Sequence, residues 1–538
     1  MNVSPIGTLM LLLIVFVFSA LPAAAHFRPM IEVTRPVASP PLEPQDDWAV
    51  LEVTVVDGFP GKKTSAHVSI NGGTVEPENN PYVRFGLRYS GNRLKGPVRF
   101  RDLDYYFYTD GEFTVKVPPG RCMLEAGRGY EYLSAKTEVT VEPRDTLALT
   151  LRLRRWTDMA ARGWYAGDTH IHMDRTGSND DSLLTLTSAR GIRYAYMLSM
   201  NTAGYAQGGQ YEGWLQQKGL GDMSACRRDG YFLSSGQEYR SGELGHVTII
   251  LPDSYVPGPD SSSADVGAGP SLGIIADQAH KLRGYLGLAH GGYHNTETDG
   301  LLLDDKMDFL ELLQFGGYRS LGLDGWYDFL NIGFRLPIVG ACDFPYTREL
   351  ASEITYVCAD TEPNPRSWAE LAAEGRSFAT SGPMIFLEAD NLRPGDIISL
   401  GENTDTTLTV NIQVNSPLYP VTSVELIVNG WARVRESFRE PQSSVSLTRE
   451  LRIIGSSWIA ARASGPAGTE AHTNPVYIYV GGRLPFNRDS ARSIISRLEG
   501  SMESVSSAEV RGRLARARQA LDAMLEGRPS SLPLPSPE

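Results

Sequence analysis

The chain has 538 residues, too many for one core, and its length alone points to about three or four domains. A formal net charge of -13, with 41% apolar residues, fits a soluble globular protein and argues against a nucleic-acid partner, which needs clustered Lys and Arg. No long run of one charge sign and no fixed-period repeat is present.

Residues 1–25 depart from that pattern. MNVSPIGT leads into LMLLLIVFVFSAL and then PAAA, with Ala23 and Ala25 in an A-x-A arrangement. This reads as a secretory signal cut after Ala25. The rival reading is an uncleaved anchor, because no Lys or Arg precedes the apolar run. The mature chain is expected to begin at His26 and to work outside the cytoplasm, periplasmic or extracellular, touching a membrane only through that segment. Residues 26–47 are Pro-rich and read as a linker.

From 48 to 155 short segments alternate apolar and polar residues. LEVTVVDG, FTVKVPPG and LALTLRLRR have period two, which predicts half-buried strands and a small β-sandwich. PPGRCMLEAGRG resembles carboxypeptidase-regulatory-like sandwich domains. Residues 156–383 change character. RYAYMLSM, YFLSSGQEY, HVTIILP, YLGLAH, MDFLELLQ, LPIVGACD and ITYVCAD are continuous apolar runs, interleaved with helix candidates such as SLGIIADQAHKLRG and PRSWAELAAEGR. Such interleaving predicts a largely parallel sheet covered by helices, and this many units suggest a barrel. Residues 384–485 return to alternation and predict a second β-sandwich. Residues 486–527 predict two helices, the second with Val510, Leu514, Ala517, Leu521 and Met524 on one face and a Ser506–Glu509 capping box. Residues 528–538 are expected to be a disordered tail. The fold class is therefore multidomain α/β: a central distorted (β/α) barrel between two β-sandwich domains, with a short C-terminal helical segment.

The chemistry concentrates in GWYAGDTHIHMD, residues 163–174. His170 and His172 lie two apart on an expected strand, so they share a face and can chelate one ion. Alone, H-x-H is as often two packing histidines. Its companions shift the balance. Glu238 ends YFLSSGQEY, His290 ends YLGLAH and Asp343 ends LPIVGACD, where functional groups collect in α/β barrels. His246 begins its run instead, which suggests an antiparallel return. Four imidazoles and two carboxylates suit zinc, manganese or iron. Two such ions would bring four positive charges against two carboxylates, enough to activate a bound water.

GDTHIH, GQEY with GHVTII, LAH, GACD and GRSFATSGPM together resemble the CehA/McbA-type metallohydrolases of the PHP (polymerase and histidinol phosphatase) superfamily, over roughly residues 156–395. The resemblance implies a distorted barrel with a metal cluster at one mouth. It implies that His170, His172, Glu238 and Asp343 hold one ion, and that Glu238 bridges to a second held by His246 and His290. The chain has Ser199-Met200-Asn201 and Asp343-Phe344-Pro345 where PHP proteins usually carry Thr-Asp-His and Asp-x-His. Ligands of a third ion are thus missing, so one or two divalent ions are expected.

The function this implies is an exported metal-dependent hydrolase that uses a metal-activated water to cleave an ester, carbamate or related carbonyl bond in a small-molecule or envelope-derived substrate. The alternatives are a metal-dependent phosphoesterase and a catalytically degenerate envelope-binding protein. Asp343 and Glu238 are the catalytic residues expected within the cluster. Tyr293 and His294, with Asp174 behind them, are the candidates for a general acid.

Other residues receive plainer readings. GPSLG, residues 269–273, matches a nucleophile elbow, but Ser271 fits better as a helix N-cap. His67, His280 and His472 read as packing or surface histidines. Glu311 inside MDFLELLQ is a carboxylate in an apolar run that needs a partner, and could orient a ligand histidine. Cys122, Cys226, Cys342 and Cys358 show no C-x-x-C spacing, so zinc-ribbon and thioredoxin readings fail. Cys342 should point away from the metals.

Overall fold

The structure is a computed structural model that describes residues 42–58, 61–78, 88–89, 92–93, 106–173, 175, 178–202, 220–241, 244–256, 270–292, 296–344, 347, 349–402 and 406–536. The expected signal segment, Asp174, Tyr293 and His294 lie outside these residues. Residues Pro36–Glu538 form one compact unit. Among the described residues no helix is long and apolar enough to cross a membrane.

The alternating N-terminal segments form two sheets. Ala49–Asp57 pairs in parallel with Thr146–Arg155 and antiparallel with Glu112–Val117. Gly120–Gly127 pairs with Ala135–Val141 and Ala66–Ile70. Every second residue of Glu112–Val117 is buried, and these residues meet Leu51, Val53, Val68 and Leu124 in one cluster. Period two in the sequence thus becomes one dry face per strand.

The central strands carry apolar residues on both faces. Every residue of Trp164–Ile171 and of Phe309–Gln314 is buried. Trp164–Ile171 pairs in parallel with Tyr194–Thr202, which pairs in parallel with Tyr231–Ser241. Direction then reverses: Tyr231–Ser241, Gly245–Ile250 and Tyr285–Leu288 are successively antiparallel. Parallel pairing resumes through Phe309–Gln314 to Ile338–Gly340. Ile354–Cys358 runs antiparallel against the other edge of Trp164–Ile171. The two ends of this run meet at Thr355, whose Oγ1 accepts from Gly340 N at 2.9 Å.

These ladders do not by themselves show the expected central barrel. The same sheet continues through Ser377–Thr380 to Glu470–Thr473, Ser457–Ser464 and Val421–Val428, and counts 17 strands among the described residues. The protein is mostly strand with few helices, and a closed (β/α) barrel is not shown. The antiparallel return at Glu238–His246 and the antiparallel strand at 354–358 replace crossover helices with direct pairings.

Gly167, the glycine of GDTHIH, has a tertiary reason. Helix Pro365–Ala373 lays Trp368 across the strand, and a Cβ at 167 would run into the indole ring. The last two helices are Arg488–Ser504 and Ala508–Leu525. Val510, Leu514, Ala517 and Leu521 are buried along one face. Ser507 caps the second helix by accepting from Val510 N, so the cap falls one residue after the expected Ser506. Leu532 and Leu534, in the stretch expected as a tail, pack against the same cluster.

Candidate metal centre

His170 is the penultimate residue of the fully buried strand Trp164–Ile171, and His172 follows the strand, its N donating to Phe344 O at 2.7 Å. This parallel bridge sets the histidine pair beside Asp343. Asp168 ties the same two segments, its Oδ1 accepting from His170 N at 3.0 Å and from Cys342 N at 3.2 Å. Glu238 and His246 come from the strands Tyr231–Ser241 and Gly245–Ile250, whose antiparallel pairing sets Glu238 opposite Thr248 and Arg240 opposite His246. His290 lies in the turn just after Tyr285–Leu288.

Two of these residues sit in the left-handed region. Asp343 has φ 51° and His290 φ 54°. Non-glycine residues there carry strain, and such strain gathers where side chains are aimed at a common point.

The rings are held from behind. His170 Nδ1 lies 2.7 Å from Glu311 Oε2, and Glu311 Oε1 accepts from Thr169 Oγ1 at 3.0 Å and Thr248 Oγ1 at 2.9 Å. His172 Nδ1 lies 3.1 Å from Leu198 O, and His290 Nδ1 lies 2.7 Å from Gln314 Oε1. Carboxylate and carbonyl oxygens only accept, so each Nδ1 carries the hydrogen. In their neutral forms all three rings then present a bare Nε2 to the interior.

Those lone pairs face one another. His170 Nε2 and His172 Nε2 are 3.1 Å apart, and each is 3.3 Å from Asp343 Oδ1. Glu238 Oε2 is 3.2 Å from His172 Nε2. A second triangle joins Glu238 Oε1, His246 Nδ1 and His290 Nε2, with edges of 3.1, 3.4 and 3.2 Å. Asp343 Oδ1 is buried with no hydrogen-bond partner. The lone pairs of His170, His172 and Asp343 repel at this distance unless a cation or a proton lies among them. A four-coordinate divalent ion bound at about 2.0–2.1 Å sets its ligand atoms roughly 3.3–3.4 Å apart, which matches both triangles.

Two groups of three could each hold a metal ion by their ligand atoms: His170, His172 and Asp343, and His170, Glu238 and His290. These side chains support use of a divalent metal. His246 is outside both groups. Its Nε2 accepts from Arg240 Nε at 3.4 Å, a contact that leaves the hydrogen on Nδ1 and works against ligation by that atom.

The electrostatics agree with a cation-seeking centre. Burial would raise Glu238, but Arg240, His246, His170 and His172 hold its carboxyl well below the usual range. Burial would likewise raise Asp343, and His170, His172 and His290 hold it down. Burial would lower His170, yet Glu311, Asp343 and Glu238 hold it well above its ordinary value, so without a bound ion a proton takes the place of a cation on Nε2. Burial pushes His246 down to about 4.

Sequence reasoning reached Glu311 through its place in an apolar run, but missed Gln314, Asp168 and Arg240. Gln314 stands three residues after Glu311 in the same strand and had no charge to mark it. Cys342 packs in a hydrophobic cluster with Ile171, Met173 and Phe344, with Sγ 3.9 Å from His170 O. All four cysteines are free thiols. Ser271 caps helix Leu272–Lys281 and donates to Glu509 Oε1 at 2.7 Å. His472 is a buried packing histidine, with Tyr327 OH 2.7 Å from its Nε2.

No family model and no curated protein matches the chain. Among solved structures it is similar to the lesion-specific endonuclease PfuEndoQ from Pyrococcus furiosus, at 16% identity and a TM-score of 0.24, over 37% of this chain and 54% of that one. It is also similar to endonuclease Q in complex with a 27-mer duplex substrate bearing an abasic lesion at the active site, at 16% identity and a TM-score of 0.25, over 38% of this chain and 56% of that one. The chain thus spans little more than half the length of these endonucleases. The CehA/McbA subtype is not named by either similarity. A likeness at these TM-scores transfers neither fold nor activity to this chain. It does correct one expectation: nucleic acid was set aside as a partner, yet both similar structures are endonucleases, one with a duplex at its active site. Net charge is a sum over the whole surface, while phosphate contacts are local, so the sum of -13 was never able to exclude them.

Proposed function

We propose that the protein is a metal-dependent hydrolase. The observation that carries this reading is the convergence, out of reach of solvent, of Asp343 Oδ1 with the Nε2 atoms of His170 and His172, each 3.3 Å away. His170, His172, Asp343 and Glu238 Oε2 would hold one divalent ion. Glu238 Oε1, His290 and His246 would hold a second, with Arg240 turned away from His246 so that Nδ1 is free to bind. Bound divalent ions supply Lewis acidity and lower the pKa of water at neutral pH.

The chain's own residues do the rest. Glu311, Leu198 O and Gln314 fix the tautomer and plane of three rings. Asp168 locks the His170 and Asp343 segments together. Tyr293 and His294, immediately after Gly292, are the nearest candidates in sequence to donate a proton to the leaving group. We take the bond cleaved to be an ester, carbamate or related carbonyl bond, because the sequence carries Met200, Asn201 and Pro345 at the positions where PHP proteins usually supply ligands to a third ion. The first 25 residues support action outside the cytoplasm, after cleavage beyond Ala25.

The test is metal content per chain by elemental analysis, beside turnover on ester, carbamate and phosphoester panels that include phosphodiesters of duplex nucleic acid. Close to one or two ions per chain are expected, lost in a His170→Ala/His172→Ala double variant. Asp343→Asn is expected to abolish turnover on whichever panel responds. Full turnover in Asp343→Asn would sink the metal mechanism.

A further inference from the structure

Two loops and the hairpin turn that leads into strand Trp431–Gln442, all in the C-terminal part of the chain and called loops below, each present a large apolar side chain to solvent. Trp431 is 68% exposed, Ile454 91% and Phe486 41%, which makes three of the seven exposed large hydrophobics among the described residues. They are not scattered. Asn429 Nδ2 donates to Ser457 Oγ at 3.3 Å, and Asn429 Oδ1 accepts from Trp458 N at 2.9 Å, which joins the loop of Trp431 to that of Ile454. Ser456 Oγ donates to Arg483 O at 2.6 Å, joining both to the loop of Phe486. Asn331 braces the set, its O accepting from Asn487 N at 2.8 Å and its Oδ1 from Trp458 Nε1 at 2.9 Å. Loops stitched in this way spend little further entropy on docking.

The charges around them are one-sided. Within 429–433, 452–457 and 481–489 the charged residues are Arg433, Arg452, Arg483, Arg488 and a single acid, Asp489. All four arginines are exposed. Glu402 reaches Arg483 from outside the three loops, 2.5 Å from its guanidinium. In a chain of net charge -13 this is a local excess of the opposite sign.

We propose that these three loop tips dock on an anionic lipid surface, with Trp431 and Ile454 entering the headgroup layer and the arginines facing its phosphates. The near-complete exposure of Ile454 marks a protruding tip and not a groove, which suits a soft surface better than a rigid one. Trp at the boundary, an aliphatic tip and an arginine rim are what an interfacial contact requires.

The test uses the full chain with vesicles of phosphatidylcholine alone or mixed with phosphatidylglycerol, at limiting lipid. Co-sedimentation is expected with the mixed vesicles, much less with phosphatidylcholine alone, and weaker as salt rises. Trp431→Ser/Ile454→Ser should lower affinity for mixed vesicles roughly tenfold or more, with metal content unchanged as the control for folding. The apolar N-terminal run is common to parent and variant, so only their difference counts. Arg433→Glu should lose binding without removing any apolar surface. Equal binding by parent and variants would overturn the proposal, as would absence of binding or indifference to phosphatidylglycerol. Concentration-dependent dimerisation, lost in the double variant, would overturn it too, because the tips would then be meeting a second copy.

Discussion

Glu311 shows how a single residue far from solvent can govern the centre. It is fully buried, and its two oxygens are engaged by His170, Thr169 and Thr248. Replacing it with Gln keeps the shape but removes the charge that favours the Nδ1–H tautomer of His170. Metal affinity is expected to fall by about 10–100-fold, read by competitive titration with a chromophoric chelator. Unchanged affinity would remove Glu311 from any role in the centre. Its meaning was legible because a carboxylate in MDFLELLQ has no reason to be there for packing. Gln314 does comparable work on His290, but a neutral amide in the same run looks unremarkable. The positive φ of His290 and Asp343 was equally hidden, since neither residue type demands it.

At the scale of elements, Gly167 and helix Pro365–Ala373 belong together. Gly167→Ala would push a methyl into the Trp368 ring, beside the strand that carries His170. A loss of about 1–3 kcal/mol is expected in urea denaturation, with weaker metal binding in the folded variant. Wild-type stability in Gly167→Ala would show that the helix can retreat. Helix Leu272–Lys281 offers a pH-dependent test. Its first amides, Leu272 N and Gly273 N, donate to Glu297 at 3.2 and 3.4 Å. Burial outweighs the pull of Arg513 and raises Glu297 to about 7. A carboxyl raised in the folded state contributes stability that is full below its unfolded pKa of roughly 4.3 and is lost as pH rises through about 7. Glu297→Gln, a permanent mimic of the protonated acid, should therefore gain on the parent between pH 5 and pH 8. Melting temperatures that stay parallel across that range would contradict the sign. Capping was legible in the sequence to within a residue, because Ser271 and Ser507 act through neighbours in the chain.

For the whole molecule, the centre draws its side chains from four separate stretches, at 170–172, 238–246, 290 and 343. An ion that binds only when these stretches converge stabilises the folded state, by about 2.7 kcal/mol at a hundredfold excess over Kd. Chelation should therefore lower the melting temperature, and restored divalent metal should raise it in a concentration-dependent way. The His170→Ala/His172→Ala variant should show neither response. A melting temperature indifferent to chelator in the parent would mean that the convergence does not depend on an ion.

The sequence by itself determined the local periodicities: the alternating strands of both end regions, the central strands with apolar residues on both faces and the amphipathic last helices. It also supplied the six residues that the tertiary structure brings together, since four imidazoles and two carboxylates at strand ends are legible as a donor set. What it could not determine was closure. Whether successive apolar strands form a barrel depends on pairing direction, and direction is decided by which distant strand offers its edge. Here Gly245–Ile250 folds straight back on Tyr231–Ser241, and Ile354–Cys358 takes the open edge of Trp164–Ile171, so the sheet runs on into the C-terminal strands. The tautomer of each histidine was decided the same way, because the oxygen behind each ring comes from a residue 24 to 141 positions away in the chain.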